Sequence, residues 1–470
     1  MDDSFSPLLQ ALNEGRLVPF IGSGFSKECG FPDWKQLAEP IAKDLDYALD
    51  DNTDYSLVFQ YYKDKYGNRN KLNSLIQNTF YSFSNDLENH KILADLPVSE
   101  IWTTNYDKSI EKCFMDCGRK IDVKKSVADL TVRLYNADCI LYKMHGDLCI
   151  SQDCVLTKDD YERYFYTHEP FVNILNHTLI EKTIVFIGYS LNDPDLQTIL
   201  LSIRKYYDNN FRTHYWITKT ETDENRRKKQ ELFIKNLKNY GIETIKIDDY
   251  SEITNLLKKL SFGMKKNNIL ISGAAAENNE NKVKERNDFV RLLSFELIKR
   301  DYTIFNGFGF GVGSSVVEGA YSKIYSNDLY KDSRERIKLY PFYQQNPDTD
   351  KSERDVFKTR YRKEMLRQVG VAIFIYGTKE ENGDVANSSG MEEEFNIAKD
   401  KGIYLVPVCS TGGMAEKLWE KIHADMESFS YTTDELKGLF EKLKTLTPKE
   451  NRDELCETIF SIIEKITEIR

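Results

Sequence analysis

Short apolar runs rich in β-branched and aromatic residues alternate along the chain with stretches of helical period. RLVPFIG (16–22), EIWTTN (100–105), CILYKMHG (139–146), TIVFIGYS (183–190), HYWIT (214–218) and ETIKID (243–248) predict strands. Leu196, Ile199, Leu200 and Ile203 fall at i, i+3, i+4, i+7, as do Ile253, Leu256, Leu257 and Leu260, and both sets predict helices. The alternation predicts a mostly parallel sheet with helices on both faces. The stretch 36–95 carries no glycine-rich motif and reads as a helical insertion capping this first domain.

The pattern restarts after the polar stretch SFGMKKNN (261–268), which reads as a hinge. NILISG (268–273), a helix around Phe289, Leu292, Leu293 and Leu297, TIFNGFGFGVGS (303–314), IKLYPF (337–342), VAIFIYG (371–377) and IYLVPV (403–408) repeat the rhythm. The expected fold class is therefore α/β, with two doubly wound domains at 1–262 and 267–470. The length of 470 residues, 40% hydrophobic and 30% charged, suffices for two sizeable cores. A formal net charge of −10 makes nucleic acid an unexpected partner unless a local basic patch exists. The cysteines at 29, 113, 117, 139, 149, 154, 409 and 456 form no CxxC pair, so no structural zinc and no other metal is expected. The start MDDSFSPLLQALNEG lacks the basic and apolar segments of a secretory signal, and no apolar run matches a membrane helix. A cytoplasmic protein with reduced thiols is the expectation.

Candidate chemistry gathers where strands end. Gly22-Ser23-Gly24, with Ser26 two residues on, follows the first strand. Glycines there allow backbone amides to approach a diphosphate before a helix N-terminus, although a tight structural turn reads the same way. WTTNYDKSIEK (102–112) places Thr104, Asn105 and Asp107 after a strand, and YKMHGDL (142–148) does so with His145. FIGYSLNDPDL (186–196) adds Gly188 and Ser190, with Asp193 and Asp195 near a helix start. Asn105 alone could be a turn residue and His145 alone a structural histidine. At the carboxyl ends of strands in one open sheet they point together to a ligand crevice.

In the second half, NGFGFGVGSSVVEGA (306–320) carries Gly307, Gly309, Gly311 and Gly313 at a strand-to-helix transition. That suits close approach to a phosphate, or a flexible loop. ILISGAA (269–275) contributes Ser272 and Gly273 at another strand end. KTRYRKEMLRQVG (358–370) clusters Lys358, Arg360, Arg362, Lys363 and Arg367, of which one or two could face an anionic ligand.

GSGFSKECGFPDW resembles the GAGxSxxxGxPDF loop of sirtuins, TTNYD their TQNxD motif, MHGD their HG motif and GYS (188–190) their later GxS. The resemblance implies a sirtuin-type Rossmann-like domain. It places Gly22, Ser23, Gly24 and Ser26 around the diphosphate and ribose of NAD+, with Gly188 and Ser190 on the cofactor. Asn105 and Asp107 would then lie near the nicotinamide ribose, with Asn105 and His145 as catalytic residues and His145 as the general base. Deacylating sirtuins carry two CxxC pairs after the HG motif, whereas here only Cys149 and Cys154 follow. The expected reaction is therefore hydrolysis of the nicotinamide–ribose bond. Protein ADP-ribosyl transfer, deacylation and a non-enzymatic nucleotide-sensing scaffold are the alternatives. Phe25 and Cys29 are notable in the loop.

The second half resembles the SLOG superfamily, relatives of lysine-decarboxylase-like nucleotide phosphoribohydrolases. Their PGGxGTxxE motif is replaced by NSSGMEEEFNIA (387–398), which keeps Gly390 and Glu394. That leaves nucleotide binding as the expectation rather than hydrolysis. The order of domains resembles the effector family of Thoeris antiphage systems in bacteria. It implies a cyclic ADP-ribose isomer as activator, made by a partner TIR-domain protein, and a homotetramer or larger assembly. NAD+ destruction would then end growth before phage matures. Expected effector contacts are Ser272, Gly273, Gly307, Gly309, Gly311, Gly313, Arg360, Lys363, Arg367 and Glu394. Arg367 stands one residue before the place of the family's effector-binding arginine, where this chain has Gln368.

Overall fold

The run Leu17–Ile21 is a strand, β1, buried at all five positions, as the unbroken apolar pattern of a strand covered on both faces requires. In the computed structural model of the chain, residues 5–27, 29–50, 53–80, 87–189, 199, 212–277, 279–326, 333–342, 350–381 and 384–468 are described. The chain divides into two units, Met1–Ser261 and Phe262–Arg470. Of the stretch 261–268, the first residues belong to the helix Ser251–Lys265, and Phe262 is buried against Tyr404.

In the first unit β1 is joined by β2 (Glu100–Thr103), β3 (Ile121–Lys124), β4 (Cys139–Lys143), β5 (Thr183–Ile187), β6 (His214–Lys219) and β7 (Ile242–Ile247). Their order is β3-β4-β2-β1-β5-β6-β7, and every neighbouring pair is parallel. The helices Trp34–Asp44, Tyr55–Tyr66, Asn70–Phe80 and Glu88–Asp95 lie between β1 and β2 in the chain. Asp33 starts the first of them with a capping box, accepting from Gln36 N–H while the Gln36 side chain accepts from Asp33 N–H. The aspartate of the GFPDW segment is thus a helix start.

In the second unit β8 (Asn268–Ala274), β9 (Thr303–Asn306), β10 (Ile337–Leu339) and β11 (Val371–Tyr376) precede an antiparallel hairpin, β12 (Thr378–Glu381) and β13 (Asp384–Asn387), and then β14 (Tyr404–Pro407). The parallel sheet runs β10-β9-β8-β11-β14. No helix among the described residues is long and apolar enough to cross a membrane.

The first sheet changes direction at β1. The chain goes to β2 on one side and later returns to β5 on the other. Ligands of open α/β sheets bind outside the carboxyl ends at such a switch point. Here the loops after β1 and β5 meet backbone to backbone. Gly22 N–H donates to Ile187 O (2.8 Å) and Gly24 N–H to Gly188 O (3.0 Å). A Cβ on Gly22 would lie 2.7 Å from Gly188 O, and one on Gly188 would lie 2.5 Å from Phe25 N. Gly188 also has φ +83°, a left-handed conformation that other residues adopt at a cost.

Gly188→Ala should therefore destabilise the protein by about 2–4 kcal/mol, from left-handed strain plus overpacking. Gly15, also left-handed (φ +65°) but with open space around it, isolates the strain, and Gly15→Ala should cost only about 1 kcal/mol. Urea midpoints of the two variants check this. Equal losses would mean that the close approach contributes nothing.

Candidate functional site

Three side chains at the end of β2, Thr103, Asn105 and Asp107, hold the loop after β1. Thr103 Oγ1 donates to Ile21 O (2.9 Å) and accepts from Asn105 N–H (3.0 Å). Asn105 is buried, and its Nδ2 lies 3.1 Å from both Gly22 O and Ser26 Oγ. The Gly22 carbonyl only accepts, so the amide nitrogen must face it. Both Nδ2 hydrogens are then engaged within the protein, leaving Oδ1, an acceptor, to offer a ligand. Ser26 Oγ in turn donates to Asp107 Oδ2 (3.1 Å), and Asp107 Oδ1 accepts from Ser109 N–H (2.9 Å). Thr104 and Tyr189 pair through their hydroxyls (3.0 Å) across the same strand ends.

Ser23, Ser26, Asn105 and Asp107 line one cleft with Phe31, Pro32, Asp33, Trp34, Leu37, Phe80, Thr104 and Tyr106. It holds about 420 Å³ of empty space, its open mouth included. Ser23, Ser26, Thr104, Asn105 and Asp107 of the lining come from the loops after β1 and β2, and Trp34, Leu37 and Phe80 come from the helices between those strands, a mixture that suits a ligand with an apolar ring and a hydroxyl-rich part.

Beneath the floor lies a buried cation. Lys143, 1% exposed, has its Nζ among four acceptors for its three hydrogens, Asp107 O (2.7 Å), Asp147 Oδ2 (2.7 Å), Glu111 Oε1 (3.1 Å) and Tyr106 O (3.2 Å). Burial alone would lower its pKa, but Glu111 and Asp147 outweigh that and hold it above its ordinary value. Lys143 thereby ties the loop after β2 to the loop after β4. His145 follows it, 2% exposed, with the rings of Tyr161 and Tyr164 edge-on at 5.4 and 6.0 Å. The backbone before it leaves β4 next to the end of β2, where Met144 N–H donates to Thr103 O (2.9 Å). His145 does not belong to the lining of the cleft described above.

The sequence-derived residues of this half thus part into two groups. Ser23, Ser26, Asn105 and Asp107 face one cleft, whereas Gly22, Gly24 and Gly188 serve the meeting of two loops. The amides of Gly22 and Gly24, expected to face a diphosphate, are occupied by carbonyls of the protein. Ser190 lies outside the described residues. Phe25 is buried edge-on to His90 (4.8 Å) and does not line the cleft. His90 itself was not anticipated. It belongs to the helix Glu88–Asp95, with Nε2 3.3 Å from Ser26 Oγ and Nδ1 3.5 Å from Cys29 Sγ.

In the second unit, Ser272 Oγ on β8 donates to Glu394 Oε2 (2.7 Å). Burial pushes the Glu394 carboxyl up, against the pull of Ser272 and Arg362. Arg362 Nε lies 3.5 Å from Glu394 Oε1, its Nη1 donates to Glu393 Oε2 (2.5 Å), and its guanidinium stands 4.8 Å from the Phe342 ring centre. The expected partners were Arg360, Lys363 and Arg367. Arg360 and Lys363 are exposed, and Arg367 pairs with Glu364 (3.2 Å). The difference is angular. Arg362 lies three and four residues before Met365 and Leu366, both fully buried, so it shares the inward face of the helix Lys351–Met365.

The glycines of the 306–313 loop press on β8. A Cβ on Gly309 would lie 2.1 Å from Gly273 O, and one on Gly311 would lie 2.3 Å from Ala275 O. Gly307 backs onto the Phe342 ring, and Gly313 onto Phe308. Arg286 reaches the same loop from the helix Glu280–Lys299, buried, with no hydrogen-bond partner for Nη1 among the described residues. The sequence reading did not single it out.

Residues 99–245 match a family model described as SIR2-like domain, and residues 252–466 match the Sir2- and TIR-associating SLOG family. Among curated proteins, the chain is 37% identical over 456 residues to the NAD(+) hydrolase ThsA of Bacillus cereus, covering 95% of this chain and 94% of that one. It is 37% identical to the ThsA of Cytobacillus dafuensis over 97% of this chain and 94% of that one. For the ThsA of Enterococcus faecium the identity is 33% over 98% of each. On the strength of these matches along nearly its whole length, the chain belongs to the ThsA family of NAD(+) hydrolases, a sirtuin-like domain followed by a SLOG domain.

Proposed function

We propose that this protein is a signal-gated NAD+ glycohydrolase of bacterial antiphage defence. It converts NAD+ and water to nicotinamide, ADP-ribose and a proton when a cyclic ADP-ribose isomer occupies its SLOG domain. The observation that carries the reading is the cleft where Ser23, Ser26, Asn105 and Asp107 converge at the carboxyl end of a parallel sheet, in a chain of a NAD(+) hydrolase family.

Cleavage of an N-glycosidic bond develops oxocarbenium character on the ribose. The pyridinium departs as neutral nicotinamide, so no proton need be delivered to it. The work left to the protein is orientation, charge stabilisation and water capture. The aromatic residues Phe31, Trp34 and Phe80 of the lining suit the nicotinamide side. Asn105 Oδ1 accepts from a ribose hydroxyl or from the attacking water. His145, two residues past the end of β4, is the base that takes the proton of that water.

In the SLOG domain the Arg362 guanidinium suits a phosphate of the activator, and Ser272 and Glu394 suit its ribose hydroxyls. Arg286 offers a second cation at the glycine-rich loop. The activator is the product of a partner TIR-domain protein, the enzyme works in the bacterial cytosol as a homo-oligomer, and NAD+ depletion stops growth before phage matures.

His145→Ala should lower the activated rate by about 10²–10⁴-fold, the worth of a positioned base. Arg362→Ala and Glu394→Gln should raise the concentration of cyclic ADP-ribose isomer needed for half-activation by about 10- to 100-fold, the loss of one charged hydrogen bond. Their fully activated rates should stay near that of the wild type, and Arg367→Ala should shift activation little. NAD+ cleavage measured against activator concentration checks all four variants. An Arg362 variant with unchanged half-activation, or an Arg367 variant with the larger shift, would contradict the assignment.

A further inference from the structure

His90 reaches the NAD+ cleft from behind. It is 1% exposed and comes from the last helix of the insertion, while Ser26, Asn105 and Asp107 come from the loops after β1 and β2. Its Nε2 lies 3.3 Å from Ser26 Oγ, the atom on which Asn105 Nδ2 and Asp107 Oδ2 also converge at 3.1 Å each.

Counting protons fixes the roles. A serine hydroxyl has one hydrogen and two lone pairs, and a carboxylate only accepts. The Ser26 hydrogen therefore goes to Asp107. The Asn105 amide, with its nitrogen fixed by the Gly22 carbonyl, supplies a hydrogen to one lone pair. The third neighbour must then also be a donor, so His90 carries its proton on Nε2. Nδ1 is left as an acceptor, and it faces the Cys29 thiol at 3.5 Å, a weak donor. A neutral ring suits this arrangement. Burial lowers the His90 pKa, and the opposing effect of Asp107 is smaller.

We propose that His90 is a positioning residue of the NAD+ site: its Nε2–H completes the hydrogen bonds of Ser26 and so holds the Asn105 carboxamide with its oxygen toward the ligand. This rests on the reading of the cleft as the NAD+ site. Without that donor, one lone pair of a buried hydroxyl is unpartnered. Ser26 can then rotate, and Asn105 loses one of its two anchors. A small misplacement of a group acting in the transition state lowers kcat more than it weakens binding.

The test compares activated wild type with His90→Leu, which removes the donor, and His90→Gln, whose amide can restore it. His90→Leu should lose about 10- to 100-fold in kcat with KM for NAD+ changed by less than about threefold, and His90→Gln should recover most of that loss. Separately, the wild-type protein with isotope-labelled histidine, without NAD+, should show by NMR one ring protonated on Nε2 and bare on Nδ1 that disappears in His90→Gln. A wild-type kcat in His90→Leu, a folded His90→Gln no better than His90→Leu, or a proton on Nδ1 would each overturn the proposal. Should the wild type cleave no NAD+, the reading of the cleft fails, while the tautomer still decides whether His90 donates to Ser26.

Discussion

Everything at the carboxyl end of the first sheet depends on two loops touching without side chains between them. Strands β1 and β5 are parallel neighbours in register from Leu17 with Thr183 to Ile21 with Ile187, so their loops leave the sheet at the same level. Gly22, Gly24 and Gly188 let the two backbones close to hydrogen-bonding distance. That contact fixes the Gly22 carbonyl. The carbonyl fixes which end of the Asn105 amide faces inward, and Asn105 with Asp107 fixes Ser26. A glycine-rich loop usually suggests a phosphate cradle. Here it places a carbonyl that orients the Asn105 amide lining the cleft.

The second domain repeats the principle with different residues. Its sheet also reverses direction beside its first strand, between β8 and β11, and a glycine-rich loop presses its backbone on the end of β8. The side chains offered there differ in kind. Unit one presents an amide, hydroxyls and a carboxylate together with aromatic side chains. Unit two presents Arg362 on a buried carboxylate whose proton affinity is raised by burial. The first set suits a reacting ribose. The second suits recognition of a phosphate with ribose hydroxyls.

The strands were legible wherever both faces are buried, because an unbroken apolar run needs no partner to be recognised. β3 escaped notice, since Asp122 and Lys124 alternate with apolar residues on an edge strand and pair with each other at 2.9 Å. The hairpin β12–β13 escaped as well, because Val385 and Ala386 are the only apolar residues in its two strands, although Asn382-Gly383 in the sequence between them is a turn signal. Motifs revealed which residues gather at the strand ends. They did not reveal what each does there, because the partners are distant in sequence. Gly24 meets Gly188, and Ser26 meets both His90 and Asp107. Two signals were nonetheless available. Arg362 shares a helix face with Met365 and Leu366, and His90 shares one with Leu93 and Ala94, all buried. A polar residue at helical spacing from a buried stripe is a candidate for an internal partner.

The central claim is that water, held at the Asn105 cleft, is the acceptor of the ADP-ribosyl group. Mass spectrometry of the products formed in heavy-oxygen water tests it directly. The purified protein, activated by a cyclic ADP-ribose isomer, should release nicotinamide and an equal amount of ADP-ribose carrying one heavy oxygen, with the mass of the protein unchanged. ADP-ribose attached to protein, or free ADP-ribose without the label, would contradict it.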